Sequence, residues 1–253
     1  MIGGAGEIAL AFGAGTAGGA MNALAGGGTF ATLPALIALG LPANAANATS
    51  NVALLPGAAA SAWAYRDELA PIGGVSVRTL AAISFAGGVV GALLLVVTPT
   101  RLFDLVIPWL LLFATVVLAF GQRAATWLRA RVAIGAGTLR AVQFLLGIYG
   151  GYFGGGLGLI AAALFGLLAG VGPRAMFAPR TLMLAITNAA AACVFTASGL
   201  VRWGACLPMM AGSIAGGWLG ARFAKRLPPA PVRAWTLMVT VVTTVVFFRR
   251  AYG

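Results

Sequence analysis

The chain has 253 residues, of which 61% are hydrophobic and 8% are charged, with a mean hydropathy of +1.00 and a net charge of +12. Soluble globular domains are about 25% charged, so this composition excludes a soluble fold and predicts an integral membrane protein. The absence of histidine excludes Ser-His-Asp and Cys-His catalysis and histidine-ligated metals. The four acidic residues are scattered along the chain: Glu7, Asp67, Glu68 and Asp104. We therefore expect no enzyme, no cofactor and no metal site.

The positive charge raises the question of a nucleic-acid partner, because a basic protein can bind phosphate backbones. The sixteen basic residues, however, stand singly or in twos and threes between apolar runs and form no continuous stripe. Such short basic groups are typical of the ends of membrane helices. We expect the lipid bilayer as a partner, and no nucleic acid.

Ten apolar segments follow one another along the chain, at 6–25, 28–40, 44–64, 76–97, 101–121, 139–153, 157–171, 175–199, 204–224 and 231–248. No basic residues precede the first segment, which argues against a cleaved signal peptide. A more polar stretch that carries arginines follows the fifth segment. We divide the chain into a first membrane repeat at 1–121, a cytoplasmic linker at 122–138 and a second membrane repeat at 139–253.

The second and seventh segments, 28–40 and 157–171, are short for a span, which needs about 20 apolar residues. Each follows three consecutive glycines, Gly26–Gly28 and Gly154–Gly156. Both are therefore predicted to be half-helices, each the second limb of a broken or re-entrant hairpin.

The basic residues predict an orientation through the positive-inside rule. If every segment reverses direction, one side carries Arg101, Arg202, Arg249 and Arg250, and the other side carries Arg66, Arg78, Arg123, Arg129, Arg131, Arg140, Arg174, Arg180, Arg222, Lys225, Arg226 and Arg233. The second group is predicted to be cytoplasmic. Both chain termini would then lie outside.

The two halves of the sequence resemble each other. Gly26–Gly28 recurs as Gly154–Gly156, and the string at 86–92 recurs at 215–221. Between these anchors, Ser50-Asn51 matches Thr187-Asn188 and Leu41-Pro42 matches Gly172-Pro173. Because each half has five segments, an odd number, the two halves enter the membrane in opposite orientations. The predicted fold is an all-α polytopic membrane protein of two inverted five-segment repeats, each with a glycine-broken helical hairpin.

The glycine triplets have two interpretations. Glycine permits close helix packing in membranes, but three in a row weaken a helix and expose backbone amides that must find partners away from lipid. Since each triplet opens a short helix, we favour a pair of helix N-termini that face an anion. The glycines at 87–91 and 216–220 are assigned to helix packing.

Polar residues inside spans mark a path or make ordinary interhelical hydrogen bonds. Asn44 and Asn47 are interpreted as helix-start residues near the surface. Arg174 is assigned to the interface, and Cys193 to apolar packing. The candidate binding residues are Gly26, Gly27, Gly28, Thr29, Thr49, Ser50, Asn51, Gly154, Gly155, Gly156, Arg180, Thr187 and Asn188.

Taken together, these motifs resemble the TauE/SafE family of membrane transporters, the sulfite exporters. The resemblance covers nearly the whole chain and rests on the residues at 18–20, 26–28, 33–34, 39–42, 47–51, 86–92, 154–156, 187–188 and 215–221. Two departures stand out: Leu157-Gly158-Leu159 follows the second triplet where the family has polar or proline positions, and the hairpins lack a carboxylate to carry a proton.

The resemblance implies alternating-access transport of a small sulfur-containing anion, such as sulfite, sulfoacetate or another organosulfonate, across a bacterial inner membrane. A passive anion channel on the same scaffold is the alternative. A membrane-embedded enzyme is disfavoured by the missing histidines, and a plain assembly scaffold by the paired glycine breaks. A homo-oligomer is left open.

Overall fold

Ten α-helices account for most of the residues that the structure describes. The structure is a computed structural model that describes residues 4–24, 26–129, 135–169, 175–224 and 229–253. The helices are α1 (Ala5–Leu24), α2 (Thr29–Ala38), α3 (Ala43–Ala64), α4 (Val77–Val97), α5 (Thr100–Arg129), α6 (Ala136–Tyr152), α7 (Leu157–Ala169), α8 (Phe177–Ala197), α9 (Trp203–Ala224) and α10 (Pro229–Tyr252). Within these ranges there is no strand, which confirms the predicted all-α fold.

The helix bounds differ from the predicted segments mainly around the linker. The fifth segment continues as helix to Arg129 and α6 begins at Ala136, so helix covers most of the stretch that we predicted as linker. Several basic residues that entered the orientation count lie outside the described residues: Arg131, Arg174, Lys225 and Arg226.

Helix length separates spanning helices from broken ones. Among the described residues, four helical stretches are long and apolar enough to cross a membrane: Val77–Val97, Thr100–Gly121, Phe177–Ala197 and Pro231–Tyr252. The helices α1, α3 and α9 are long enough to span a membrane, but glycine or Asn, Ser and Thr lower their mean hydropathy. With 10 and 13 residues, α2 and α7 are too short to span, as predicted.

Glycine brings two helix pairs into backbone contact. Helix α1 packs on α9, and α4 packs on α6. A Cβ atom added at Gly216 would clash with the carbonyl oxygen of Thr16, and one at Gly91 would clash with that of Ile148. Both glycines belong to the strings assigned to packing, and that prediction is confirmed.

Several helix ends share one face of the bundle. A cavity of about 660 Å³ is lined by residues from the start of α1 and from the loops before α3 and α9, among them Glu7, Pro42 and Arg202. The Thr100 hydroxyl donates to Asn44 Oδ1 at 3.0 Å, and Asp104 pairs with Arg250 at 3.8 Å. The starts of α1, α3, α5 and α9 and the end of α10 therefore lie together.

Other helix ends meet at the opposite face of the bundle, away from the cavity. The ring of Tyr65, just after α3, stacks on that of Phe177 at the start of α8, with centroids 6.3 Å apart. The Arg233 guanidinium, in the second turn of α10, donates to the Leu118 carbonyl of α5 at 3.1 Å. The end of α3 thus meets the start of α8, and the start of α10 meets α5 well beyond its first turn.

Two glycines of α1 form a matched test of this packing. A Cβ at Gly15 would overlap the backbone of Met209 in α9, whereas one at Gly13 would meet nothing within 4 Å. Gly15→Ala should therefore destabilise the protein by about 1–3 kcal/mol through overpacking. Gly13→Ala should be neutral or stabilising, because alanine favours helix by about 1 kcal/mol over glycine. Thermal unfolding of the detergent-purified variants checks this, and equal midpoints would contradict the described α1–α9 contact.

Candidate functional site

The two glycine breaks touch each other at the centre of the bundle. A Cβ at Gly26 would lie 2.7 Å from the Gly158 Cα, and one at Gly158 would lie 2.9 Å from the Gly26 Cα. Gly26, Gly154 and Gly156 have φ angles of +85°, +75° and +73°, which residues with a side chain rarely adopt. Glycine is thus required here both by conformation and by the backbone contact between the hairpins.

Several backbone amides at this junction have no acceptor among the described residues. The Gly28 N–H donates to Asn22 Oδ1 at 2.7 Å, which satisfies one donor at the start of α2. In the described part of the chain, no acceptor serves the N–H groups of Gly27, Gly155, Gly156 and Gly158. These glycines are buried, and a buried unpaired donor costs about 1–3 kcal/mol. The amides lie at the N-termini of α2 and α7, where the helix dipole favours an anion.

Polar side chains of α3 and α8 lie beside the second break. The Asn51 amide nitrogen donates to Asn188 Oδ1 at 3.4 Å. A Cβ at Gly154 would lie 3.3 Å from that nitrogen and 4.0 Å from the Thr29 hydroxyl. One at Gly150, in the last turn of α6, would lie 2.7 Å from Cγ2 of Thr187. The structure therefore brings five predicted residues together around the end of α6: Thr29, Asn51, Gly154, Thr187 and Asn188.

Two predicted residues have other partners. The Thr49 hydroxyl accepts from the Arg202 N–H at 3.0 Å, in the loop that lines the cavity at one face. Thr49 therefore anchors this loop and does not lie with the residues around the glycine breaks. The Ser50 and Thr32 hydroxyls lie 2.5 Å apart, and Thr32 also bonds the Gly28 carbonyl. Ser50 therefore stabilises the start of α2 in the first hairpin, through Thr32.

Arg180 lies away from the glycine breaks. It is buried in the first turn of α8, with its guanidinium 4.8 Å from the centroid of the Phe177 ring. Phe177 stacks in turn on Tyr65, at the face where α3 ends. Among the described residues, no carboxylate pairs with this guanidinium. Arg180 thus offers a positive charge near one mouth of the bundle.

The sequence analysis missed three contributors. Asn47, interpreted as a helix-start residue near the surface, is the fifth residue of α3, where it is 1% exposed and donates to the Tyr152 carbonyl at 3.0 Å. Its spacing of four from Asn51 puts both on one helix face, which is the signal that could have found it. Asn22 and Tyr149, whose hydroxyl donates to the Gly155 carbonyl at 2.6 Å, hold the breaks in shape. Each stands alone among apolar residues and gives no pattern.

Comparison with known sequences supplies the family. The model of the family described as sulfite exporter TauE/SafE matches residues 11–247. The chain belongs to the TauE/SafE family. It is 29% identical over 244 residues to a probable membrane transporter protein, ORF9, of a Sinorhizobium species, covering 94% of this chain and 91% of that protein. No solved structure matches it.

Other relatives carry similar names. A probable membrane transporter protein of Haemophilus influenzae is 27% identical, with coverage of 94% of this chain and 92% of that protein. The probable membrane transporter protein YfcA of Escherichia coli K12 is 25% identical, with coverage of 93% and 87%. Together with the apolar spans, these similarities identify the chain as a membrane transporter of the TauE/SafE family.

Two neighbouring glycines test the contact between the breaks. Gly26→Ala forces a side chain into a positive φ and against Gly158, so it should cost about 1–3 kcal/mol and lower the thermal unfolding midpoint. Gly27→Ala is the control, because its Cβ would lie 3.4 Å from the Phe30 ring and 3.6 Å from Leu159, in ordinary contact. A Gly26 variant as stable as the Gly27 variant would contradict the described junction.

Proposed function

We propose that this TauE/SafE protein moves a small sulfur-containing anion, such as sulfite, sulfoacetate or another organosulfonate, across the bacterial inner membrane. The observation that carries the proposal is the junction of the two breaks, where the buried N–H groups of Gly27, Gly155, Gly156 and Gly158 have no acceptor in the part of the chain that the structure describes. An oxyanion supplies several strong acceptors at once and suits helix N-termini. The family description as sulfite exporter supports the sulfur oxyanion class.

The packing of the helices supports two inverted repeats. Helix α1 packs on α9 as α6 packs on α4, and α3 packs on α9 as α8 packs on α4. Adding five to the number of a first-half helix and subtracting five from that of a second-half helix converts one pair into the other, while α3 and α8 pack on each other at the centre. Transporters with inverted repeats bind substrate at broken helices between the repeats and rock one repeat against the other. We propose alternating access of this kind.

The contact between Gly26 and Gly158 favours a transporter over a passive channel. With the two backbones this close, the junction leaves no wide pore at that point. An anion held there has to be released by a movement of one hairpin relative to the other. Movement of the helices at each turnover would limit the rate, since such motions take microseconds to milliseconds.

The shared helix ends support the predicted orientation. The face with the cavity carries Arg101, Arg202, Arg249 and Arg250, and the opposite face carries Arg180 and Arg233. We propose that the cavity opens to the outside and that both termini lie on that side, with the 122–138 linker in the cytoplasm. Arg180 would then attract the anion at the inner mouth.

Anion flux into proteoliposomes tests the function. Purified protein should accelerate uptake of at least one of sulfite, sulfoacetate, thiosulfate and sulfate over protein-free liposomes, with saturable kinetics. The assay is run with and without a pH gradient to reveal proton coupling. Rates that stay proportional to anion concentration up to high millimolar values would indicate the channel, and the absence of flux for every anion would refute the proposal.

Arg180 provides a test of the inner mouth. Arg180→Gln removes a buried positive charge and should raise the KM for the transported anion about tenfold, which corresponds to about 1.4 kcal/mol. Arg180→Lys should recover part of the loss. Arg78→Gln is the control, because Arg78 is an exposed arginine at the start of α4, predicted on the same side. Equal KM values for the two glutamine variants would contradict a role of Arg180 in attracting the anion.

A further inference from the structure

Besides Gln143 Oε1, in the middle of α6, three buried side-chain oxygens near the C-terminal end of that helix have no hydrogen-bond partner among the described residues. They are Oδ1 of Asn47, Oδ1 of Asn51 and the hydroxyl oxygen of Thr187. Their residues are 1%, 4% and 1% exposed. Buried polar atoms in folded proteins almost always have a partner. Three exceptions on neighbouring helices therefore indicate a ligand.

All three side chains lie against one short stretch of backbone, Gly150–Gly154. Asn47 donates through its amide nitrogen to the Tyr152 carbonyl at 3.0 Å, which leaves its Oδ1 unused. Asn51 lies beside Gly154, and Thr187 lies against Gly150. The bond from Asn51 to Asn188 uses the nitrogen of the amide and likewise leaves the oxygen as an acceptor.

The backbone of this stretch adds further acceptors. The N–H groups of Phe153 and Gly154 both donate to the Tyr149 carbonyl, at 2.9 and 3.3 Å. The carbonyls of Gly150 and Gly151 consequently receive no backbone hydrogen bond from the described residues. A Cβ at Gly154 would lie 3.3 Å both from the Gly150 carbonyl oxygen and from the Asn51 amide nitrogen. The Asn51 side chain and the Gly150 carbonyl therefore both adjoin Gly154, at the negative end of the α6 dipole.

This set of groups fits a cation of single charge. It consists of neutral oxygens, the ligands that hard cations prefer, whereas protein sites for calcium or magnesium include carboxylates. Asp67 and Glu68 are exposed in the turn after α3, and Asp104 pairs with Arg250 at the bundle surface. Broken transporter helices coordinate sodium through unwound carbonyls and half-helix C-terminal ends.

We propose that Asn47, Asn51 and Thr187, with the free carbonyls at the end of α6, bind a monovalent alkali cation. We assign this cation as the coupling ion, whose gradient drives anion uptake; this assignment rests on the proposed anion transport. The cation lies at the carbonyl end of the break in the second repeat, and the anion lies at the amide end a few residues on. Each ion offsets the charge of the other.

Thermal unfolding of the purified protein tests the site without reference to transport. The midpoint in NaCl or KCl should exceed that in choline chloride of equal ionic strength by about 2–4 °C, since a ligand that binds only the folded state stabilises it. Thr187→Val should raise the half-saturating cation concentration at least tenfold. In choline chloride this variant should be no less stable than the wild type, because it removes an unpartnered hydroxyl.

Thr236→Val is the matched control. Thr236 is fully buried in α10, and its hydroxyl donates to the Val232 carbonyl at 2.8 Å. Loss of this hydrogen bond should lower the unfolding midpoint equally in all salts. The difference between the midpoints in NaCl or KCl and in choline chloride should stay unchanged. If water alone occupies the site, no alkali salt will differ from choline chloride. That result, or an undiminished increment in Thr187→Val, would overturn the cation site.

Anion uptake driven by a gradient of the same cation separates this proposal from the proposed function. Uptake that needs an inward alkali gradient in the wild type and loses that dependence in Thr187→Val supports both. Anion flux without any cation dependence or thermal increment overturns the cation site and leaves anion transport standing. A thermal increment lost in Thr187→Val, in a protein that moves no anion, supports the site and refutes the transport proposal.

Discussion

The backbone contact between Gly26 and Gly158 is the constraint on which the rest of the architecture depends. A chain cannot leave its helix within lipid, because unpaired backbone groups are too costly there. Two breaks are tolerable only if protein encloses them, and here each break covers the other. The long helices around them must in turn pack tightly enough to exclude lipid. This requirement explains why glycine is concentrated in α1, α4, α6 and α9, the four helices that pair around α3 and α8.

The second break, between α6 and α7, separates opposite partial charges along a short piece of chain. Among the described residues, no backbone N–H group donates to the carbonyls of Gly150 and Gly151 at the end of α6. No acceptor in the same ranges serves the amides of Gly155, Gly156 and Gly158 at the start of α7. In an unbroken helix the Gly155 N–H would donate to the Gly151 carbonyl. Breaking it makes both available to ligands, at the negative end of one helix dipole and the positive end of the next.

Much of this was predictable because glycine and proline leave strong local signals. The triplets at 26–28 and 154–156 located both breaks, and the strings at 87–91 and 216–220 located two packed faces. Partners across the bundle were not predictable, since residues far apart in sequence bond according to tertiary packing. Thr49 looked equivalent to the nearby Asn51, yet a step of two residues turns a side chain about 200° around the helix, and Thr49 bonds Arg202 instead. Asn47, four residues from Asn51, shares its face.

A core without acids or histidine restricts how transport can be driven. A proton needs a titratable carrier within the path, and the described acids lie at the ends of the helices. Amide and hydroxyl oxygens cannot take up protons at physiological pH, but they can replace part of the hydration shell of an alkali cation. A divalent oxyanion accompanied by such cations also crosses the apolar core with less net charge than it would alone. A composition poor in acids and without histidine thus favours coupling through bound ions over coupling through protonation.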